Sequence, residues 1–309
     1  MRWRIYILSM LMLLAAMPVA AQRYSSRSSL THWLGVSMTG FEATPILGKN
    51  TNVFSRPGGG GQAALLYEMH SGHLFFNIGL GADYTLVRCG VNTRSDAFDR
   101  VDFMGEQVLY RYVYSAWKEK QTQLRVILPV QIGYRFGDWF YMALGATYRS
   151  APVKSHFDAN TRMLTEGEYN RFIQPIRNAD AYGYWGEADY SGGGEVLSAT
   201  HEMAVELELG VRIPLTHGVQ MRAGVFAGYD IPLVSYKNKR SATLAADYST
   251  VDTNPFSQSQ ANLSQQLRFY SLFDSPEIKR DAQRVRAGMR ITFIFNVTHT
   301  PSRCMCMTE

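Results

Sequence analysis

Cysteine is scarce in this chain. Three occur in 309 residues: Cys89 alone, and Cys304 and Cys306 close together near the end. That is no framework for a disulfide-stapled fold. The tail C-x-C, with no histidine nearby, reads as two plain thiols or an intermolecular bridge before it reads as a metal site. Charge is scarce too: charged residues make up 18% and the net charge is +5, too small to argue for nucleic acid. Long apolar runs are missing beyond the N-terminus; no stretch approaches 18 apolar residues, so no membrane helix is expected. Catalytic signatures are missing as well. There is no Gly-x-Ser-x-Gly elbow, and the glycine run at 58–61 lacks the Lys-Ser/Thr of a phosphate-binding loop.

The N-terminus is a processing segment. Arg2 and Arg4 precede an apolar stretch at 5–17, and Val19-Ala20-Ala21 forms a small-residue cleavage site before Gln22. The stretch is shorter than the ~20 residues of a spanning helix, so residues 1–21 are expected to be a cleaved secretory signal. With Arg2 and Arg4 gone the net charge falls from +5 to +3. Glycine, 26 residues, and aromatics, 13%, are plentiful in what remains.

What the chain does have is alternation. In residues 200–215, His201, Met203, Val205, Leu207, Leu209, Val211, Ile213 and Leu215 share one face; Glu202, Glu206, Glu208 and Arg212 share the other. The following arm, 219–230, opposes Val219, Met221, Ala223, Val225, Ala227 and Tyr229 to Arg222, Phe226 and Asp230. A period of two marks strands with a different solvent on each face. The same pattern predicts strands at 31–42, 62–70, 73–87, 121–136, 139–150 and 285–297, eight in all. Pro129 is expected to cause a bulge or a local break in its strand.

Three features separate a soluble sandwich from a membrane barrel. The connections alternate long and short throughout, as in outer-membrane barrels and unlike Greek keys. Each short hairpin pairs apolar face with apolar face, which a one-residue slip would scramble. On the apolar face, Tyr67, Tyr134, Phe136, Phe140, Phe293 and Phe295 gather toward the short turns, and Tyr84, Tyr148 and Tyr229 toward the long loops. Two aromatic belts around an aliphatic middle suit a bilayer. The expected fold is therefore all-β: a closed antiparallel up-and-down transmembrane β-barrel of eight strands, with long outer loops and short periplasmic turns. Residues 22–30 form a periplasmic segment, 31–297 the barrel and 298–309 a tail.

The predicted inner face is the reverse of a soluble ligand-binding barrel's. Glu68, Asp83, Glu202, Glu206, Glu208 and Asp230 share it with Arg125, Arg135, Arg149, Arg212, Arg222, Arg286 and Arg290. A small barrel's lumen is just filled by side chains, and opposite charges make such burial tolerable. The set reads as a salt-bridge plug, with a gated polar pore as the alternative.

The Ala20-Ala21-Gln22 junction, the glycine-spaced strand Asn77-Ile78-Gly79-Leu80-Gly81-Ala82-Asp83-Tyr84 and the closing strand Arg286-Ala287-Gly288-Met289-Arg290-Ile291-Thr292-Phe293 carry a further likeness. The mature chain resembles, in pattern, the small outer-membrane β-barrel proteins of the Bacteroidota type, porin-family or PorT-like. That resemblance implies residence in the cell outer membrane and contact with barrel assembly machinery; it brings no catalytic motif. The chain departs from it in one respect. Such barrels often end on an aromatic of the last strand, and here 14 residues follow Phe295.

Enzyme readings rest on little. His156-Phe157-Asp158 lies in a long connection, His201 at a strand lip facing outward by parity, and Asp96 with Asp99 is the nearest approach to a paired-acid site. Ordinary loop residues account for all of these, although a rim lipid or peptide hydrolase stays a distant alternative. The outer loops are the better candidates. Tyr169, Phe172, Tyr182, Tyr184, Trp185 and Tyr190 interleave with Asn170, Asn178, Asp180, Glu187 and Asp189, a mixture that can make a glycan- or protein-binding surface or simply pack the loops together. Tyr110, Tyr112, Tyr114 and Trp117 alternate over 108–117, which suggests that two strands continue outward as a hairpin. The reading is a monomeric outer-membrane barrel with a structural or surface-binding role, without catalysis, cofactor or metal, in contact with outer-membrane lipid. A narrow pore or an accessory transport or secretion factor is the alternative.

Overall fold

The computed structural model describes residues 30–46, 53–102, 104–177, 187–196, 201–216, 218–233, 245–248, 267–274 and 283–298. The ring is built from β1 (Thr31–Pro45), β2 (Val53–Ser71), β3 (Leu74–Val101), β4 (Gln107–Phe136), β5 (Phe140–Arg149), β8 (Glu202–Thr216), β9 (Val219–Pro232) and β12 (Arg284–Asn296). Above it stand β6 (Lys154–Tyr169), β7 (Glu187–Gly194), β10 (Ala246–Asp247) and β11 (Arg268–Phe269).

Neighbours in the ring are antiparallel, in the order β3-β2-β1-β12-β9-β8-β5-β4, and β4 pairs back onto β3. Eight strands are thus hydrogen-bonded on both sides, which leaves no open edge in the ring. The last strand closes on the first from Trp33↔Asn296 to Pro45↔Arg284. The eight strands sit where sequence alternation places them. Their short turns match closely: Gly72 and Gly137 supply the positive φ, +57° and +65°, that tight turns require. At Pro129 pairing with β3 lapses between Ile78↔Val130 and Gly81↔Ile127, without a register shift. The missing N–H breaks the ladder on one side only, since Pro129 still faces Thr147 in β5.

The ring's polarity is inverted. Leu34, Met38, Leu65, Leu80, Leu144, Leu207, Val225 and Met289 are exposed on its outer surface. Inside, Glu68, Asp83, Arg125, Arg149, Glu202, Arg286 and Asp230 are buried. Inward aromatics fill space that glycines leave: the Phe75 ring lies where a Cβ on Gly133 would stand, so a larger residue there would have to displace that ring.

Longer strands than the alternation marked out rise beyond the ring. On β3 the outward face is apolar through Tyr84 and Leu86, then becomes Arg88; the inward face changes from Asp83 and Thr85 to Val87, Cys89 and Val91. On β4 the outward Leu124 gives way to Thr122, Lys120 and Lys118, and the inward side reaches Trp117. The same two strands therefore carry a ring with apolar outside and, above it, a sheet with apolar inside. The upper hairpin was legible in the 108–117 alternation.

β6 and β7 fall in a stretch expected to be a polar connection. After a jog at 150–153, held by Ser150 N donating to Val126 O (2.9 Å) and Val153 N to Leu124 O (2.8 Å), β6 continues along the edge of β4 that β5 occupies lower down. Its inward face, Phe157, Ala159, Thr161, Met163 and Thr165, mixes small and polar residues, which hid the alternation. The upper sheet closes over a core of Tyr112, Tyr114, Trp117, Phe157, Met163, Tyr190, Tyr248, Phe269 and Leu272 among others. Ala116, at φ +52°, stands where the β4–β6 register shifts between Ser115 and Lys118 and where inward parity passes from Trp117 to Tyr114.

Candidate functional site

The lumen is a layered charge network. Its upper layers hold Asp83, Glu202, Glu206, Glu208 and Asp230 against Arg125, Arg149, Arg284, Arg286 and Arg290. Arg149 bonds Asp83 (2.8 Å) and Asp230 (2.7 Å). Arg286 bonds Glu206 (2.8 Å) and Asp230 (3.0 Å). Arg290 reaches Glu206 (2.5 Å) and Glu208 (2.7 Å), and Glu202 takes Arg125 (2.6 Å) and Arg284 (3.2 Å). Period-two geometry explains the convergence, because alternate residues of every strand point to the axis. Neutral groups complete the shell: Gln131 Nε2 donates to Glu208 (2.8 Å), Tyr141 Oη to Glu208 (2.5 Å) and Gln62 Nε2 to Asp83 (2.9 Å). Sequence alternation starts the last strand at Val285, one residue past Arg284, and puts Gln62, Gln131 and Tyr141 on inward faces without marking them as site residues, because their polarity is unremarkable until the ring closes.

The layer nearest the short turns differs. Glu68 is bonded by Arg222 (2.6 Å) and His70 (2.5 Å), and Arg222 Cζ lies 4.5 Å from the Phe75 ring centroid. Arg135 and Arg212 complete this layer, half-buried at the open end. Arg135 donates to the Gly72 carbonyl. These two do not join the ion-paired network above.

Outside the ring, two buried carboxylates tie the segment after β9 onto the upper sheet. Asp96 accepts from Ala245 N (2.5 Å) and from the Tyr248 hydroxyl, which also bonds Tyr114. Glu119 accepts from Gln121 Nε2 (2.7 Å), Ser271 Oγ (2.6 Å) and Leu272 N (2.7 Å). Burial pushes the Glu119 carboxyl above its ordinary range against the pull of these bonds, and nearby Asp274 adds to the rise. Burial likewise holds Tyr114 and Tyr248 protonated. The start of the 3-10 turn Leu272–Asp274 and the preceding Ser271 are thus bonded to the inward Glu119 and Gln121, just above Gln123, which bonds Arg125 of the lumen.

The enzyme candidates come apart. Asp96 is buried while Asp99 is exposed on the opposite face, so they form no acid pair. His156 Nε2 meets Asp158 (3.1 Å) on an exposed face of β6. His201 stacks on Tyr148 on the ring's outer surface, with Nδ1 2.6 Å from the Tyr148 hydroxyl.

The aromatic loop surface is corrected in part. Tyr169 and Tyr190 are buried at 5% and 4% exposure, because β7 turns Tyr190 into the upper core and β6 turns Tyr169 into a smaller cluster with Val108 and Tyr110. Tyr182, Tyr184 and Trp185 lie outside the described residues. Phe172 stays 43% exposed at a tip cleft of about 610 Å³, lined by Asp99, Gln107, Glu168, Tyr169, Asn170, Phe172 and Gln174 among others. Arg171, which is not among the residues lining the cleft, has Cζ 4.8 Å from the Phe172 centroid and Nη1 3.2 Å from Glu106. Cys89 is buried and free; Cys304 and Cys306 are outside the described residues. Among those residues, no cluster of histidine, cysteine and carboxylate could hold a metal.

No family model matches the chain, and neither does any curated protein. Among solved structures it is similar to Ail, the attachment invasion locus protein of Yersinia pestis, crystallised with the heparin analogue sucrose octasulfate: 8% identity over 86% of this chain and 98% of Ail, with a TM-score of 0.23. It is also similar to CymD, a monoaromatic hydrocarbon channel, at 7% identity over 87% of this chain and 89% of that one, with a TM-score of 0.19. Likenesses at this level do not bear on what this chain does.

Proposed function

We propose that the ring is a transmembrane β-barrel of the bacterial outer membrane, and that the upper β-structure is its working part, a folded platform for surface binding or surface architecture. The observation that carries this is the inversion of polarity along β3 and β4. Apolar side chains face outward as far as Leu86 and Leu124, and charge or polarity faces outward from Arg88 and Thr122 upward. A soluble barrel has no reason to expose Leu, Val and Met around a whole ring while burying ion pairs within it; lipid against that ring supplies one. The short turns would face the periplasm and the upper sheet the exterior. Residues 1–21 as a cleaved signal, assembly by the barrel machinery, a monomeric state and the Bacteroidota affinity belong to the same proposal.

The layered ion pairs, together with the turn at Leu272–Asp274 bonded above them, favour a closed lumen over a conducting one. The tip cleft is the binding candidate. An aromatic wall beside carboxylate and amide groups suits a glycan or a peptide. The membrane reading is tested by fractionating the envelope and comparing boiled with unboiled protein by gel electrophoresis. A heat-dependent shift of the membrane-fraction protein is the expected result; identical mobility with recovery from the soluble periplasm would overturn the reading. For the binding role, replacing Phe172 and Asp99 should abolish adhesion to a glycan or protein array while the heat shift is retained.

A further inference from the structure

Among the described residues charge balances in the upper lumen, five carboxylates against five arginines, but not at the short-turn end. There Arg135, Arg212 and Arg222 gather around Glu68, with Asp138 in the adjoining turn as the other nearby acid. Arg212 and Arg222 are directly opposed across β8 and β9, a like-charge pairing that sheets disfavour. Glu68 is already committed: Arg222, His70 and Asn77 all bond it. Arg222 is only 4% exposed, yet its Nε and Nη1 have no acceptor among the described residues. Nε of Arg135 and Nε of Arg212 are buried without one as well; Arg125, Arg149 and Arg286 above also carry unmet donors, but each of those is ion-paired to a carboxylate, and among the described residues Arg135 and Arg212 are not. Buried donors of charged groups left unmet are costly, and three such groups at one place are a concentrated demand for acceptors.

We infer that the short-turn end of the lumen binds a multivalent oxyanion of the phosphate class. Guanidinium forks match tetrahedral oxyanions in geometry and charge. A dianion between Arg212 and Arg222 relieves their opposition, and its several oxygens can serve Arg135 at the same time. Arg135 and Arg212 are half-exposed at the open end, so the anion enters from that side. The aromatic faces of Phe75 and Tyr141 already hold the plane of Arg222, at 4.5 and 5.4 Å, which leaves its edges for the ligand. The inference does not depend on whether the ring lies in lipid.

The test uses the full protein folded in a non-ionic detergent, with inorganic phosphate as the probe and chloride at equal ionic strength as control. Calorimetry should show saturable phosphate binding, and the melting temperature should rise with phosphate and not with chloride. Arg212→Gln should bind phosphate about tenfold more weakly, the loss of one charged hydrogen-bonding group. In chloride alone that variant should melt no lower than the parent, because one of two opposed cations is gone; this separates a ligand site from a structural role. Phosphorus NMR distinguishes the sources. Lipid phosphorus retained through extraction marks a headgroup, and an exchangeable inorganic signal marks a free anion; both support the site. Should phosphate leave calorimetry and melting of the parent unchanged, with no lipid phosphorus retained, the inference fails. Should Arg212→Gln not fold, that parent measurement alone still decides.

Discussion

β3 and β4 belong to two cores with opposite rules. In the ring, leucine and methionine point outward and arginine and glutamate point in. In the upper sheet, Trp117, Tyr114 and Phe157 point in, and Lys118, Lys120 and Arg88 point out. β3 and β4 hold a single register with each other from Leu74↔Tyr134 to Val101↔Gln107, with one irregularity at Ala116, where the inward parity of β4 changes. The change of core at Leu86 and Leu124 lies below that irregularity and is made by side chains alone. The lesson is that the surroundings of each stretch are written in its alternation: a period of two states that a strand has two faces, and which face is apolar states where the lipid or the core lies.

The sharpest way to break this comparison is to unbalance the ring's interior. Glu206 receives Arg286 and Arg290, so Glu206→Ala takes one carboxylate partner from each, leaving Arg286 on Asp230 and Arg290 on Glu208, and leaves the buried network one negative charge short. The expected loss is about 3–5 kcal/mol, read as a lower temperature for the gel-mobility shift. A comparable blow to the upper core should leave the ring standing. Trp117→Ala is expected to cost the upper sheet about 3–5 kcal/mol, with early protease cleavage above the ring and an unchanged mobility shift. If the ring melts with it, the two cores are one cooperative unit and the comparison fails.

The outer faces give the next contrast. Leu207→Arg, in the middle of the apolar belt, should cost about 2–4 kcal/mol in a bilayer. Thr122→Arg, two residues above Leu124, should cost less than about 0.5 kcal/mol. Refolding into vesicles over a denaturant series measures both.

The smallest expected effect concerns pH. Glu119 has its carboxyl raised by burial, so the folded upper sheet holds that proton more tightly than the unfolded chain does. Its contribution is therefore most favourable at acid pH and is lost as pH rises through the raised folded-state value. Anchoring of the 267–274 segment should strengthen as pH falls from neutral toward the ordinary carboxylate range. Glu119→Gln should flatten that dependence in denaturant midpoints.

Much of this was legible in the sequence, because a ring with an apolar outside and a charged inside writes strong contrast. Leu74 to Leu86 alternates with Asn77, Gly79, Gly81 and Asp83 cleanly enough to place β3 and its inward charges. The upper sheet was only half legible. Tyr110, Tyr112 and Tyr114 showed themselves, but β6 carries Ala159, Thr161 and Thr165 on its buried face, and such residues give no contrast. Tyr169 and Tyr190 looked like a binding surface because sequence cannot say whether an aromatic in a long loop faces water or a second sheet. The arginines at the short-turn end were read as part of one balanced set. Their separation from the acids above depends on height along the axis, which strand register alone reveals.

The central claim is that the apolar belt faces lipid and ends between Leu86 and Arg88. A nitroxide scan tests it most directly. Single cysteines for spin labelling replace Leu74, Phe76, Ile78, Leu80, Tyr84, Leu86 and Arg88 in turn, in a background with Cys89, Cys304 and Cys306 removed, and the protein is reconstituted in bilayers. The account predicts collision with dissolved oxygen to be greatest near Leu80, with access to a water-soluble nickel reagent low throughout the belt and rising sharply at Arg88. Uniform access to the nickel reagent from Leu74 to Arg88 would contradict it.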